Sequence, residues 1–478
     1  MVKFPNLPLQ KRSLQYAAAF TALPATLSSG LHLAWTSPYL PLLLSKDSPI
    51  PMTNDESSWV ATMYMAGGPC GALLSGALLD RVGRKTILLS SSLAIFTTWI
   101  IIAFATTIQE LLVGRFLAGF CDGLIFGVTP IYFGEIADAQ IRGRLGCSIA
   151  ITFEIGSVLM NVIGSYLSIR QSALVCSAIP VLFFVTFIWM PESPNYFLIK
   201  GETEKAKRCL VALKGENIDD TMSAISSATA EESLNRTRCA SLFKKVNRRS
   251  LFIVVALRLT QQFSGVIAFT FYAQTIFREA EDAISPLLST VIFYAVQLTF
   301  LLMNSQLVDR IGRRPLLITS TIGVGAALFA EGTFFLVRDV VELDTTAIAW
   351  LPVLILIIFI ISFGLGLQTM PLFIGSEIFP PNVKAYAAAI SDVCYYAFAG
   401  MSSKYFQFAK DKYGMYVPFF SFAFCCTIGL IFIIYFVPET KNKTLEDIQI
   451  ELNFLQQGER SSHPNGSMKF HSEQHFQK

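Results

Sequence analysis

Asp80-Arg81-Val82-Gly83-Arg84-Lys85 is written a second time in this chain, as Asp309-Arg310-Ile311-Gly312-Arg313-Arg314. Each copy lies between two long apolar segments, roughly half a chain apart. A second pair follows the same offset: Pro130 and Glu135 with Arg142, then Pro371 and Glu377 with Lys384. A third closes the pattern, Pro191-Glu192-Ser193 and Pro438-Glu439-Thr440. Three landmarks repeated once in one order imply two homologous halves.

Composition sets the surroundings of those halves. Of 478 residues, 53% are apolar and only 15% charged, against about 25% charged in a soluble protein. The apolar residues come in blocks of roughly 20, the length that crosses a bilayer. Twelve spans are predicted, six near 16–38, 57–79, 86–105, 111–133, 144–168 and 172–190, and six near 251–276, 286–308, 315–337, 350–375, 385–408 and 415–437. The predicted fold is therefore all-α, twelve membrane helices in two pseudo-symmetric six-helix bundles. Residues 1–15 form an N-terminal segment, 16–190 the first bundle, 191–250 a linker with short helices, 251–437 the second bundle and 438–478 a tail. Two parallel six-helix halves with a shared site are the architecture of secondary transporters.

Lys and Arg set the orientation. They gather before the first span (Lys3, Lys11, Arg12), after the second, after the fourth (Arg142, Arg144) and after the eighth. Both termini and the central segment are thus expected in the cytoplasm, which leaves the sequons at Asn235, Asn442 and Asn465 unused. No clustered basic face speaks for nucleic acid. No metal-ligand spacing, nucleotide loop or cofactor motif is present, and the nine cysteines form no disulfide framework. No nucleophile and base stand together as an enzyme would need. The first span shows no cleavage site.

At this point the motifs match a family. DRVGRK at 80–85, GRFLAG at 114–119, PIYFGEIADAQIRGR at 130–144, PESP at 191–194, QQFSG at 261–265, DRIGRR at 309–314 and PETKNKTLEDI at 438–448 stand in the order of the sugar porter branch of the major facilitator superfamily. The chain resembles that branch from about residue 16 to 450. Trp35-Thr36-Ser37-Pro38 is most similar to insect sugar and trehalose carriers. The resemblance implies facilitated diffusion of a small polar solute, a sugar foremost, by alternating access across the plasma membrane, as a monomer.

It also implies gating groups. Arg81, Arg84, Glu135, Arg142 and Glu192 in the first half, with Arg313, Glu377, Lys384 and Glu439 in the second, would form ion pairs that hold the cytoplasmic side shut. Lys384 stands where the family has Arg, and so lacks a planar fork. Tyr272 matches the external gate of span seven, and Gly265 permits a bend beside it. Gln261 and Gln262 are placed on sugar hydroxyls, since each amide both donates and accepts.

Elsewhere the expected ligands are replaced. Ala150, Ile267, Gln297, Tyr395, Gly364 and Leu372 stand at positions where the family has Gln, Asn, Asn, Asn, Glu and Trp. Only Gln297 keeps hydrogen-bonding chemistry of a similar kind. Ionisable groups inside spans are costly and usually functional. Glu154 and Arg258 are two such groups, with Asn161 extending the stripe of Glu154, and they are expected to pair across the halves. Three alternatives stay open: a polyol, disaccharide or other non-hexose solute, a proton carried by Glu154, and a sensor that binds without transport. Arg115 and His32 are read as structural.

Overall fold

The computed structural model describes residues 13–215, 222–223, 242–243, 245–279, 285–344, 348, 350–441, 443 and 448. The three sequons, the Ser/Ala-rich stretch near 221–234 and the tail beyond Ile448 fall, apart from Met222, Ser223 and Lys443, outside the described residues. The first half comprises α1 (Ser13–Ala34), α2 (Thr36–Leu43), α3 (Asn54–Val82), α4 (Arg84–Phe104), α5 (Ile108–Ile136), α6 (Ala139–Tyr166) and α7 (Ile169–Phe187). Two short helices follow, α8 (Pro194–Ile199) and α9 (Thr203–Lys214). The second half comprises α10 (Lys245–Gln262), α11 (Val266–Glu279), α12 (Pro286–Ile311), α13 (Arg313–Asp339), α14 (Leu351–Leu365), α15 (Met370–Glu377), α16 (Pro381–Tyr413) and α17 (Tyr416–Phe436). Three crossings are broken: α1–α2 at Trp35, α10–α11 at Phe263–Gly265 and α14–α15 at Gly366–Thr369.

Among the described residues, nine helices or helix pairs are long and apolar enough to cross a membrane. The crossings outside that set are α1–α2, α3 and α16. Their polarity has a physical reason. Helices α3 and α16 pack on each other across the two halves, Gly68 lying against the Tyr396 ring and Gly400 against Met65. Such surfaces never meet lipid. Leu93, Phe20 and Phe424, each more than 60% exposed, point outward instead, as large apolar patches at a membrane surface do.

Each half has its own apolar core. Trp35, Trp99, Tyr132 and Phe183 are buried in the first. In the second, Phe419 stacks between Phe269 and Phe335, both at 5.5 Å. The closest helix pair is α3 with α5, which meet along Gly67 and Gly71 on one side and Gly119 and Gly123 on the other. A Cβ added at Gly119 would strike the Tyr64 carbonyl oxygen, and one at Gly71 that of Phe120. Small residues four apart on both helices allow this approach.

Alternation of the crossings places Gly83, Asp138, Glu192, Gly312, Pro380 and Glu439 on one face, here termed the basic face. The repeated hexapeptides therefore share a face, as the duplication requires. Gly83 and Gly312 take φ of 101° and 108°, left-handed turns that glycine adopts without strain. Each glycine also makes room for an acid. The Glu192 carboxylate accepts from the Lys85 and Ser193 N–H groups, and Glu439 accepts from those of Arg313 and Arg314. Glu192 and Glu439 thus cap the first turns of α4 and α13, where backbone donors have no helical partner. To the expected ion-pair role of these two acids the structure adds a capping one. On the opposite face, by contrast, helices begin with local capping boxes at Thr53/Glu56, Thr107/Glu110 and Ser168/Gln171.

The two remote caps titrate in opposite senses. Burial pushes the Glu192 carboxyl above its ordinary value, more than its backbone donors pull it down. Burial also acts to raise Glu439, but the N–H groups of Lys441, Arg313, Arg314 and Thr440 together outweigh it and hold the carboxyl low. A lowered folded pKa stabilises above the unfolded value and loses that stabilisation as pH falls through the folded value. A raised one contributes below the unfolded value and is lost as pH rises. Glu439→Gln is therefore expected to cost about 1 kcal/mol at neutral pH, the scale of a lost cap. Glu192→Gln should cost less. Thermal melts of detergent-solubilised protein between pH 4 and 8 check this, and the cost at Glu439 should shrink toward the acid end.

Candidate functional site

Polar contacts between the halves lie mid-membrane and toward the opposite face. Mid-helix, the Tyr396 hydroxyl donates to Asp122 Oδ2 at 2.9 Å, and Gln297 Nε2 donates to Glu154 Oε1 at 3.0 Å. Nearer the opposite face, Gln274 Nε2 donates to the Ser165 hydroxyl at 3.0 Å. At that face Lys404 Nζ reaches Asp55 and Ser58, each at 2.6 Å, and lies 4.3 Å over the Trp59 ring. No ion pair described on the basic face joins one half to the other: Arg84 lies 2.9 Å from Glu135 and 3.2 Å from Asp80, Lys214 of α9 lies 3.5 Å from Asp138, and Arg313 lies 3.2 Å from Glu377. Arg81, Arg142 and Lys384 are exposed. Among the described residues no ion pair joins Arg142 to Glu135 or Lys384 to Glu377. The two halves are thus fastened toward the opposite face.

Span seven breaks where the sequence places its glutamines. Gly265 takes φ of 84°, and helix α10 ends at Gln262 beside it. The two amides then differ. Gln261 is fully engaged: its oxygen accepts from Arg258 Nη1 at 2.9 Å, and its nitrogen donates to the carbonyls of Leu367 and Gln368 at 2.8 and 3.0 Å. It ties the break of α10 to the break between α14 and α15. Gln262 is fully buried, yet neither its nitrogen nor its oxygen has a partner. A buried amide without partners costs free energy, and of the two glutamines Gln262 is the one that bears that cost. The two expected sugar contacts thus start from different positions, Gln261 with its amide engaged by protein groups and Gln262 with its amide open.

The expected pair of Glu154 with Arg258 is not formed. Arg258 Nε donates to Ser391 at 2.8 Å and its Nη2 faces Asp392 at 3.5 Å, with the Tyr395 ring 5.3 Å away. Both partners lie on α16, which packs beside α10, whereas Glu154 on α6 meets α12. Each charge therefore finds a neighbour on its own adjoining helix. Asn161 is buried and donates to the Ser157 carbonyl at 3.0 Å. Gln297 keeps an unpartnered oxygen beside Glu154. Tyr272 sits at a kink in α11 (φ −113°, ψ 16°), its ring stacked on Phe406 at 5.3 Å.

Arg115 and His32 belong to the packing of the first half. Arg115 lies 4.8 Å from the Tyr64 ring and donates to the Val60 and His32 carbonyls. His32 stacks on Trp99 at 3.7 Å, with Nε2 3.0 Å from the Thr98 hydroxyl. Sequence reasoning passed over Asp122, Asp392, Gln368 and Lys404. The first two carried a usable signal, a lone acid within a span. Among the described residues no group of three His, Cys, Asp or Glu side chains could hold a metal ion. What the arrangement offers is a set of buried polar groups, among them Gln262 and Gln297, whose amide atoms are not all partnered by the protein.

Residues 14–452 match the family described as sugar (and other) transporter. The facilitated trehalose transporter Tret1 of Drosophila virilis is 31% identical over 440 residues, which cover 91% of this chain and 48% of that protein. That of Apis mellifera ligustica is 30% identical over 442 residues, covering 91% and 88%. The chain spans about half the length of the fruit-fly relatives. An inward-open structure of the xylose transporter XylE from E. coli superimposes with a TM-score of 0.78 at 20% identity, covering 91% of this chain and 99% of that one. A structure of the proton:xylose symporter XylE bound to 6-bromo-6-deoxy-D-glucose gives 0.71 at 21% identity, covering 92% and 99%.

Proposed function

Because this chain belongs to the sugar transporter family, a multi-pass membrane family whose match spans residues 14–452, we propose that it carries a neutral sugar across the membrane by alternating access and facilitated diffusion. Gln262 carries this reading. Its amide is buried at the break of span seven, without partners, in a molecule whose halves are fastened on one face only. A sugar hydroxyl supplies the missing donor and acceptor together. Contacts to both halves would then favour the occluded arrangement over either open one. The relatives named as trehalose carriers put a disaccharide first among candidates.

The basic face is assigned to the cytoplasm, from the Lys and Arg of its short loops. The contacts from Lys404 to Asp55 and Trp59 then seal the outer side, and the described state opens inward. A monomer holds both halves of the pocket, and the plasma membrane is the assigned location.

The test is counterflow of labelled trehalose, glucose, xylose and sorbitol in proteoliposomes, with and without a pH gradient. Sugar flux indifferent to the gradient is expected, and Gln262→Ala should reduce it by about tenfold or more, the worth of one to two hydrogen bonds to a buried group. Flux of no sugar by the wild type overturns the reading. Flux driven by the gradient would assign a proton to a buried acid such as Glu154 and overturn facilitated diffusion.

A further inference from the structure

Resting on the sugar-carrier reading, we propose that Asp392 is a solute-contacting group: its carboxylate accepts hydrogen bonds from two adjacent hydroxyls of a neutral polyhydroxylated solute, while Arg258 holds it in place. The position of Asp392 is the first observation. It lies about 17 Å from the basic-face end of α16 at 1.5 Å per residue, within a helix running Pro381–Tyr413. Even so, its side chain is 43% exposed, whereas that of Arg258 beside it is 6% exposed. An acid facing lipid at that depth would be expelled or neutralised. Asp392 instead stands next to a cation on an interface helix, so its open side looks into the space between the halves.

The looseness of its ion pair is the second observation. Arg258 is pinned by Ser391 at 2.8 Å and Gln261 at 2.9 Å. Its remaining nitrogen stops 3.5 Å from Asp392, beyond the usual 2.7–3.2 Å of an N–H···O bond (about 2.9 Å at best). The guanidinium cannot swing closer without giving up one of those bonds. A carboxylate has about four acceptor sites, and the one contact described for Asp392 leaves most of them open.

The surroundings select the ligand chemistry. Arg258 repels a cationic solute from Asp392, and Asp392 repels an anionic one from Arg258. A neutral diol satisfies both, donating two hydroxyls to the carboxylate. Gln262, one helical turn from Arg258 on the same face, offers its free amide to a further hydroxyl. The Tyr395 ring, 5.3 Å from the guanidinium carbon, supplies an apolar surface. Asp392 thereby takes up part of the work of the amide ligands that Tyr395 and Ile267 lack.

The experiment uses the full chain in proteoliposomes and inhibition of counterflow by a sugar, its single-deoxy analogues and its amino analogue. Asp392→Asn should weaken the parent sugar by about tenfold or more, the effect of losing hydrogen bonds to a charged acceptor. The two deoxy analogues that each lack one of the two adjacent hydroxyls should be weakened less than the parent, because each has already lost one of the two contacts. If Asp392→Asn strands the Arg258 charge and reduces expression, the paired change Asp392→Asn with Arg258→Gln removes both charges, and the same analogue pattern is expected. Equal loss for parent and all deoxy analogues, or no loss, overturns the proposal while leaving sugar transport standing. Preference for the amino sugar that vanishes in Asp392→Asn overturns it in favour of a cation site. A wild type that moves no sugar overturns the carrier reading itself, and the assigned ligand with it.

Discussion

Gly119→Leu is expected to leave almost no folded protein in the membrane. Helices α3 and α5 meet backbone to backbone, and the space beside Gly119 is filled by the Tyr64 carbonyl. A flexible side chain could rotate away from an intruding methyl, but a helical carbonyl cannot. Relief requires the two helices to separate along their length, which also uncovers Gly67, Gly71 and Gly123. Overpacking that side chains can absorb costs about 1–3 kcal/mol, and a clash with backbone exceeds it. Against a total stability of roughly 5–15 kcal/mol, the first half should fail to assemble. Gly76→Leu is the control, since nothing beyond the helix's own neighbouring backbone lies within 4 Å of a Cβ at that position. Size-exclusion profiles of fluorescently tagged protein should show a wild-type peak for Gly76→Leu and none for Gly119→Leu. A monodisperse Gly119→Leu with an unchanged melting temperature would contradict the close seam.

The reason so much of the architecture was legible lies in the helix ends. Charges and turn glycines at a membrane face are set by local chemistry, so Gly83 and Gly312 announce both a tight turn and a shared side. Apolar length does the same for most crossings. The crossings α1–α2, α3 and α16 carry a weaker apolar signal, because their polar faces pack on protein. The pocket was harder to read. Gln261 and Gln262 are chemically identical neighbours, and which one keeps free valences depends on where Arg258 and the Leu367–Gln368 carbonyls arrive. No spacing along the chain encodes that.

The expected pairing of Glu154 with Arg258 failed for a related reason. Opposite charges in a membrane must be satisfied, but the partner is chosen by helix adjacency. Helix α10 adjoins α16, which carries Ser391 and Asp392, while α6 adjoins α12 and Gln297. Asp392 and Asp122 were overlooked although each is a lone acid in a span. Glu192 and Glu439 were noticed, but as partners for side chains. Their acceptors are spent on backbone N–H groups, a role visible only once the glycine turn is built.

Tyr396→Phe is expected to shift the molecule toward the arrangement open at the opposite face. The hydroxyl it removes is the donor to Asp122 at 2.9 Å, a bond joining α16 of one half to α5 of the other. Such a bond exists only while the halves are fastened there. Its loss leaves the Asp122 acceptor short of a partner in that arrangement, at a cost of about 1–3 kcal/mol. Once the halves part, water can reach the carboxyl and the cost falls away. The difference moves the equilibrium by roughly fivefold to a hundredfold. Lys404→Gln acts on the same equilibrium from the surface end, through Asp55, Ser58 and the Trp59 ring, and the two changes should add because they share no partner. Spin labels at Thr106 and Lys412, exposed near the opposite face on different halves, report the separation directly. A longer-distance population should grow in Tyr396→Phe and grow further in the double variant. An unchanged distribution in both would mean that these contacts accompany closure without holding it, and the fastening would then have to reside in the apolar packing of α3 on α16.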